Sequence, residues 1–347
     1  MKYKILITTA GIGSRLGNLT KFVNKSLVSV SAKPIICFQI EKFPIDSKFV
    51  IALGYKGNLV KEFLTMAYPK RSFEFVSIQN FIGKGSGLGL TILSCEKKLQ
   101  MPFIFISCDT LVEEEITPPF SNWIGYSNKK ISSSNQYRKL NLNKKDVIKI
   151  LEKEEPHSND SFPYIGIAGI YNYKNFFEAM HNGGIEAIEQ GESYGLKRLI
   201  KDKVRGIPFT WHDTGNMKAL KETRKVYKSE NIPTILEKEN EAIWFVNSKV
   251  IKFSDNLDFI KNRLKRSEHI TDYIPKIQDK GKNMYSYQKA PGEVISEIID
   301  LQLFAKLLDF TNKFWKDYKL NKKDKIEFKK KCDSFYRVKT FERINLF

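Results

Sequence analysis

The stretch Ile7–Ile36 reads ITTAGIGSRLGNLTKFVNKSLVSVSAKPII. A short apolar run stops at two glycines, and an arginine and two lysines then follow along a loop that must stay compact. Gly11 and Gly13 permit backbone shapes closed to other residues and leave peptide N–H groups free to meet a ligand. Arg15, Lys25 and Lys33 bring enough positive charge for a polyphosphate rather than a single anion. The stretch therefore has the make-up of a phosphate-binding loop at the end of a buried strand.

The residues on either side repeat one pattern. YKILITT, KFVIALGY (Lys48–Tyr55), FEFVSIQ and PFIFIS are short apolar runs of strand character. Between them lie helix-like segments: Asn58–Met66, with Leu59, Phe63 and Met66 at helical spacing, and LTILSCEKKL after the glycine-rich GKGSGLG. Strands alternating with helices predict a doubly wound, mixed but mostly parallel α/β sheet of Rossmann-like type. Gly125–Asp146 is polar and reads as an irregular surface excursion; YIGIAGIYNY (Tyr164–Tyr173) returns to the sheet, and Met217–Tyr227 closes it as a helix.

The pattern changes after Lys228. EAIWFVNSKVIKF reads as two strands turning at Asn247-Ser248, followed by a helix with Leu257, Ile260 and Leu264 on one face. Two domains are expected, 1–234 and 235–347, as 347 residues exceed one ordinary domain.

A formal net charge of +19 points toward anionic partners, although lysines scattered along the chain and concentrated in NKKDKIEFKKKCD account for most of it as solvated surface. No aromatic–basic module suggests nucleic acid. Cys37, Cys95, Cys108 and Cys332 have no CxxC spacing, which favours a reducing, cytoplasmic setting over a disulfide framework or zinc site. The N-terminal apolar run is too short for a secretion signal, and no run approaches the ~20 residues needed to span a membrane.

The familiar glycine signatures do not fit the opening loop. A dinucleotide fingerprint needs a third glycine where Leu16 stands, and a P-loop needs Gly-Lys-Ser/Thr, whereas Lys25-Ser26 follows Asn24. What remains is G-x-G-x-R-L, then Thr20, Lys25, Leu27 and Lys33-Pro34. With Gln79 ahead of the second glycine loop, Asp109 at a strand end, Glu152-Lys153 and WHDTGN in the same order, Met1 to about Lys228 resembles the nucleotidyltransferases that include sugar-1-phosphate pyrophosphorylases and phosphocholine cytidylyltransferases. Asn24 replaces the family's usual proline, and Cys108 the glycine that commonly precedes the metal aspartate.

The resemblance implies a reaction: a phosphorylated acceptor attacks the α-phosphorus of a nucleoside triphosphate and pyrophosphate leaves. By that analogy Arg15, Lys25 and Lys153 are the catalytic residues. Arg15 and the amides near Gly11 and Gly13 hold the β- and γ-phosphates, Lys25 meets the α-phosphate, and Lys153 meets the acceptor phosphate. Ala10, Gly11, Gly13, Ser14, Arg15, Gln79, Gly85, Ser86 and Gly87 form the nucleotide site, and Asp109 and Asp213 are the Mg²⁺ ligands. His212 is expected to bond a neighbour, since Mg²⁺ prefers oxygen. CTP with a phospho-alcohol is favoured, UTP or GTP with a sugar phosphate is the alternative, and a catalytically silent nucleotide-binding scaffold stands as a third reading.

Residues 235–347 resemble, in VIKFSDNLDFIKNRLKRSEHI and MYSYQKAPGEVIS, the N-lobe and hinge of the choline kinase and aminoglycoside phosphotransferase family, with Lys252 and Glu268 as an expected ion pair. No His-Gly-Asp loop and no second metal aspartate follow Tyr287, so this smaller α+β domain is expected to carry out no transfer. A helix is expected over Leu301–Lys319, packed as structure.

Overall fold

The computed structural model describes residues 2–129, 136–153, 155, 161–228, 238–314 and 318–345. The chain divides into two compact units, Met1–Ala290 and Pro291–Phe347. The boundary expected near residue 235 lies outside the described residues.

The first unit opens with β1 (Lys4–Thr8), the glycine loop, two short 3₁₀ turns, the small ladder of β2 (Ser29–Val30) and β3 (Lys33–Pro34), and α1 (Ile35–Ile40). Then come β4 (Lys48–Leu53), α2 (Gly57–Ala67), β5 (Ser72–Ser77), α3 (Leu88–Cys95), β6 (Phe103–Ser107) and β7 (Thr110–Val112). β8 (Trp123–Ser127), β9 (Lys139–Asn143), β10 (Asp146–Leu151), β11 (Ser161–Ile170), α4 (Tyr173–Gln190) and α5 (Glu192–Leu199) follow. β12 (Arg205–Phe209), β13 (Trp211–Asp213) and α6 (Met217–Val226) complete this part.

Nine strands form one sheet in the order β5-β4-β1-β6-β11-β8-β12-β10-β9. Alternate residues of its central strands feed two separate cores. Ile5, Ile7, Phe49, Ile51, Ile104 and Ile106 pack with Ile36 of α1 and Phe63 of α2. Leu6, Val50, Ala52, Phe103 and Phe105 pack with Ile92 of α3 and Phe176 of α4. A strand buried on both faces must be apolar throughout, which is why these runs do not alternate with polar residues.

Two expectations are corrected. The sheet is mixed, as expected, but not mostly parallel: β5-β4-β1-β6 and β8-β12 run parallel, but β11 reverses direction against β6, and the pairings of β11 with β8 and β9 and of β10 with β9 and β12 are antiparallel. In the polar segment 125–146 the described parts, 125–129 and 136–146, are no excursion, since β8, β9 and the start of β10 fall there and join the sheet, and 130–135 lie outside the described residues. β9 is paired on both sides, with β10 and β11, but Asn141 is half-buried and Asn143 exposed, and these polar positions dilute the apolar signal.

A second sheet belongs to the same unit: β14 (Glu241–Val246), β15 (Lys249–Ser254), β16 (Ile277–Lys280) and β17 (Met284–Gln288), in the order β14-β15-β17-β16, with α7 (Leu257–Ser267) between β15 and β16. The turn falls at Asn247-Ser248, where Asn247 takes φ +54°, a left-handed shape that asparagine tolerates. Trp244, Ile251, Phe253 and Met284 join the core of α1 and α2, with Trp244 edge-on to Phe63 at 5.1 Å. Glu62 of α2 accepts the amides of Asn283 and Met284 at 2.9 Å each, fastening the β16–β17 turn to the helix.

The expected Lys252–Glu268 pair does not form. Glu268, just beyond α7, bonds Lys280 at 3.1 Å, and Lys252 lies over the Tyr287 ring at 5.5 Å. The second unit is helical: α8 (Ile295–Ile298), α9 (Leu301–Phe314), α10 (Lys322–Cys332), a π-turn and α11 (Lys339–Ile344). The expected helix over Leu301–Lys319 is present to Phe314; 315–317 lie outside the described residues, and Tyr318 and Lys319 are not helical. Contrary to its expected packing, Leu301 is 88% exposed and Phe304, Leu308 and Phe310 are exposed as well. Among the described residues no helix is long and apolar enough to cross a membrane.

Candidate nucleotide and metal site

β1 and β6 are parallel neighbours, and Thr8 stands level with Ser107. The chain leaving β1 into the glycine loop therefore emerges beside the chain leaving β6 into Cys108-Asp109, at the carboxyl edge where open α/β sheets bind ligands. The two loops wall a cavity of about 350 Å³.

Gly13 sits at φ +74°, and a Cβ there would press on Lys25 and Thr20 at 3.0 Å. The glycine thus lets the loop fold back over Lys25. Asn24 sets the lysine from the other side. Its amide donates to the carbonyls of Thr9 at 2.9 Å and Tyr55 at 2.6 Å, and its oxygen accepts from the Ser26 amide at 2.9 Å and the Ser26 hydroxyl at 2.8 Å. Asn24, where the family usually has proline, is a fully buried post tying the loop to the ends of β1 and β4.

Lys25 is buried and bonds Asp109. Burial opposes its charge, but Asp109 outweighs burial and raises the pKa of the ammonium. Burial likewise opposes ionisation of Asp109, yet Lys25, the Ser107 hydroxyl at 2.5 Å and Arg15 hold it down at about 2. The neighbouring Cys108 thiol is pushed up to about 11 by burial and so stays protonated at neutral pH.

Asp213 arrives from β13, which pairs antiparallel with β7 so that Asp213 faces Thr110. Its Oδ2 accepts the Tyr137 hydroxyl at 2.7 Å and its Oδ1 the Gly215 amide at 2.7 Å. Burial and the nearby Asp109 charge raise its pKa. A Cβ on Gly215 would lie 2.8 Å from Asp109 Oδ2, 2.9 Å from Asp213 Oδ1 and 3.6 Å from an Arg15 guanidinium nitrogen. Two carboxylate oxygens and one cation thus converge beside Gly215. That donor set suits Mg²⁺, a hard ion that takes one or two carboxylates and completes its shell with phosphate and water. Among the described residues no group of three His, Cys, Asp or Glu side chains gathers to hold a metal, so here the protein offers two carboxylates.

Ala10, Gly11, Gly13, Ser14, Arg15, Lys25, Ser86, Gly87 and Asp109 all line the cavity. Gln79 and Gly85 are exposed and do not; Phe81, from the same segment, does. Lys33 turns away to Glu41 and the Phe38 ring. Lys153 is exposed on a turn, while its neighbour Glu152 bonds Arg138 and Lys197, each at 2.7 Å. His212 bonds Glu113 at 2.7 Å and meets Tyr227 edge-on.

Sequence reasoning missed Ser107, Tyr137, Phe81 and Gly215. Only Gly215, inside WHDTGN, left a signal in the chain.

No family model matches the chain. A curated relative, "Bifunctional protein GlmU" of Methanocaldococcus jannaschii, is 27% identical over 257 residues, which is 71% of this chain and 59% of the relative. The chain thus spans less than two thirds of that protein's length. Among solved structures, a UDP-glucose pyrophosphorylase complexed with UDP-glucose superposes with a TM-score of 0.54 at 18% identity, covering 65% of this chain and 98% of its own. The CTP:phosphocholine cytidylyltransferase of Streptococcus pneumoniae gives 0.53 at 16% identity, with 66% and 100% covered. The fold is that of the nucleotidyltransferases, and the resemblance carried by the motifs holds in relatives and in architecture alike.

Proposed function

We propose that the chain is a Mg²⁺-dependent nucleotidyltransferase that moves a nucleoside monophosphate, CMP in the favoured reading, from its triphosphate to a phosphorylated small molecule. The convergence of Asp109 and Asp213 beside Gly215, next to Arg15 and Lys25, carries this reading. An acceptor phosphate oxygen bonds the α-phosphorus while the bond to the β-phosphate oxygen breaks, so negative charge grows on the departing pyrophosphate. Arg15 and the loop amides at Gly11 and Gly13 hold that pyrophosphate, and Lys25 meets the α-phosphate. Asp109 and Asp213 hold the Mg²⁺, which when bound neutralises phosphate charge. Gln79, Gly85 and Gly87 are assigned to the base and Lys153 to the acceptor phosphate, by family resemblance. The product is read as an activated precursor of surface polysaccharide or lipid, made in the cytoplasm.

The second reading is uridylyl or guanylyl transfer to a sugar phosphate, favoured by the fold likeness to UDP-glucose pyrophosphorylase. The β14–β17 region is assigned no phosphoryl transfer. Pyrophosphate release is to be measured with four nucleoside triphosphates against phosphocholine, glycerol phosphate and glucose 1-phosphate. Release that needs nucleotide, acceptor and Mg²⁺ together, fastest with CTP and phosphocholine, is expected. Fastest release with UTP and glucose 1-phosphate overturns the CMP preference, and no acceptor-dependent release from any pair leaves the silent scaffold.

A further inference from the structure

We infer a second anion site on the β14–β17 sheet, in which Lys252, Arg263 and Arg266 receive the phosphate group of a small phosphomonoester. Lys252 stands on β15, and Arg263 and Arg266 stand three residues apart on α7, hence on one helix face. The three line one cavity of about 200 Å³, with Tyr285, Tyr287 and Ile277 among its walls and no carboxylate lining it.

Two acids of this region are held by other cations. Glu241, which acts on Lys252 from β14, is bonded by Lys238 at 3.0 Å, and Glu268 by Lys280 at 3.1 Å. Among the described residues none of the three cations has an ion-pair partner. Burial and the nearby Arg263 both lower the pKa of Lys252, as expected for a cation crowded by its own kind. Arg263, Arg266 and Tyr285 line this same cavity, and the two arginines oppose the rise that burial gives the Tyr285 pKa.

Three unneutralised cations around one cavity favour a multiply charged anion with several acceptor oxygens, and two guanidinium groups give a phosphate charge-assisted hydrogen bonds. The tyrosine and isoleucine walls suit a short organic stem. At about 200 Å³ the cavity is smaller than the roughly 300–1,000 Å³ that bury whole drug-sized ligands, so it holds a headgroup rather than a complete nucleotide. The site shares no residue with the loops at Arg15 and Asp109, and its occupancy does not depend on the proposed reaction.

The test is arginine labelling of the full chain by phenylglyoxal, read peptide by peptide. Inorganic phosphate or phosphocholine is expected to slow labelling of Arg263 and Arg266 about tenfold at ten times its Kd, since only the free fraction reacts. Chloride at equal ionic strength gives no such protection, and Lys252→Met abolishes most of it. Should that variant fail to fold, Arg263→Gln with Arg266 as the reporter serves instead. Labelling of Arg15 in the same digest reports the first site separately. Protection equal in chloride, protection by ATP alone, or protection undiminished in the variants overturns the site.

Discussion

Thr214 donates both its amide and its hydroxyl to the main-chain carbonyl of Asp109, each at 3.0 Å, across 105 positions of sequence. These two hydrogen bonds fix the two carboxylate-bearing segments to each other rather than leaving either on a free loop. Gln39 secures the same place from below, its amide bonding the carbonyls of Ser107 at 2.8 Å and Thr110 at 2.9 Å. Residues on either side of Asp109 are thereby held to α1 and to β13.

Gly215→Ala inserts a methyl less than 3 Å from an oxygen of Asp109 and one of Asp213. The carboxylates must part, so pyrophosphate release is expected to fall at least ~10²-fold, the loss seen when a preorganised contact is removed. The required Mg²⁺ concentration rises in parallel. Parent-like kinetics with unchanged Mg²⁺ dependence show that the two oxygens do not share an ion.

Arg15 and Lys25 meet different phosphates and are predicted to differ kinetically. Arg15→Ala lowers kcat if it holds the departing pyrophosphate; Lys25→Ala lowers kcat/KM at least as strongly, because charge builds at the α-phosphorus. Lys25→Ala also leaves Asp109 without its buried partner and destabilises the fold. A rise in KM alone for either variant assigns it uniform binding and removes it from the transition state.

Asn24→Pro separates backbone from side chain, since φ −70° at Asn24 already suits proline. The carbonyls of Thr9 and Tyr55 lose their donor in a buried place. A loss of about 2 kcal/mol is expected in urea unfolding, as for buried acceptors left unpaired. No shift in the urea midpoint shows that the post is dispensable and that proline serves equally here.

Glu62→Ala removes the acceptor of two amides in the β16–β17 turn. A loss of roughly 1.5–3 kcal/mol is expected, the range for hydrogen bonds to a charged group. Hydrogen exchange is to quicken first at Asn283 and Met284. Exchange unchanged at those amides means the turn is held by its strands alone.

The sequence by itself determined the alternation of strands and helices, the glycine loop, and the identity and order of Arg15, Lys25, Asp109 and WHDTGN, because these rest on local patterning and on residue types that only certain chemistry requires. It also placed the Asn247-Ser248 turn, a property of two residues and their backbone. Tertiary structure alone decided what depends on pairing between distant segments. Strand direction after β6 has no signature in composition, so the reversal at β11 and the strands within 125–146 were not legible. Nor was the partner of each charged side chain. Lys33 goes to Glu41 and Glu268 to Lys280, because a long cation bonds the nearest carboxylate that the packing presents. Ser107 and Tyr137 act on Asp109 and Asp213 through contacts set by sheet register and chain crossing, and such proximity is a property of the folded chain that no local stretch encodes.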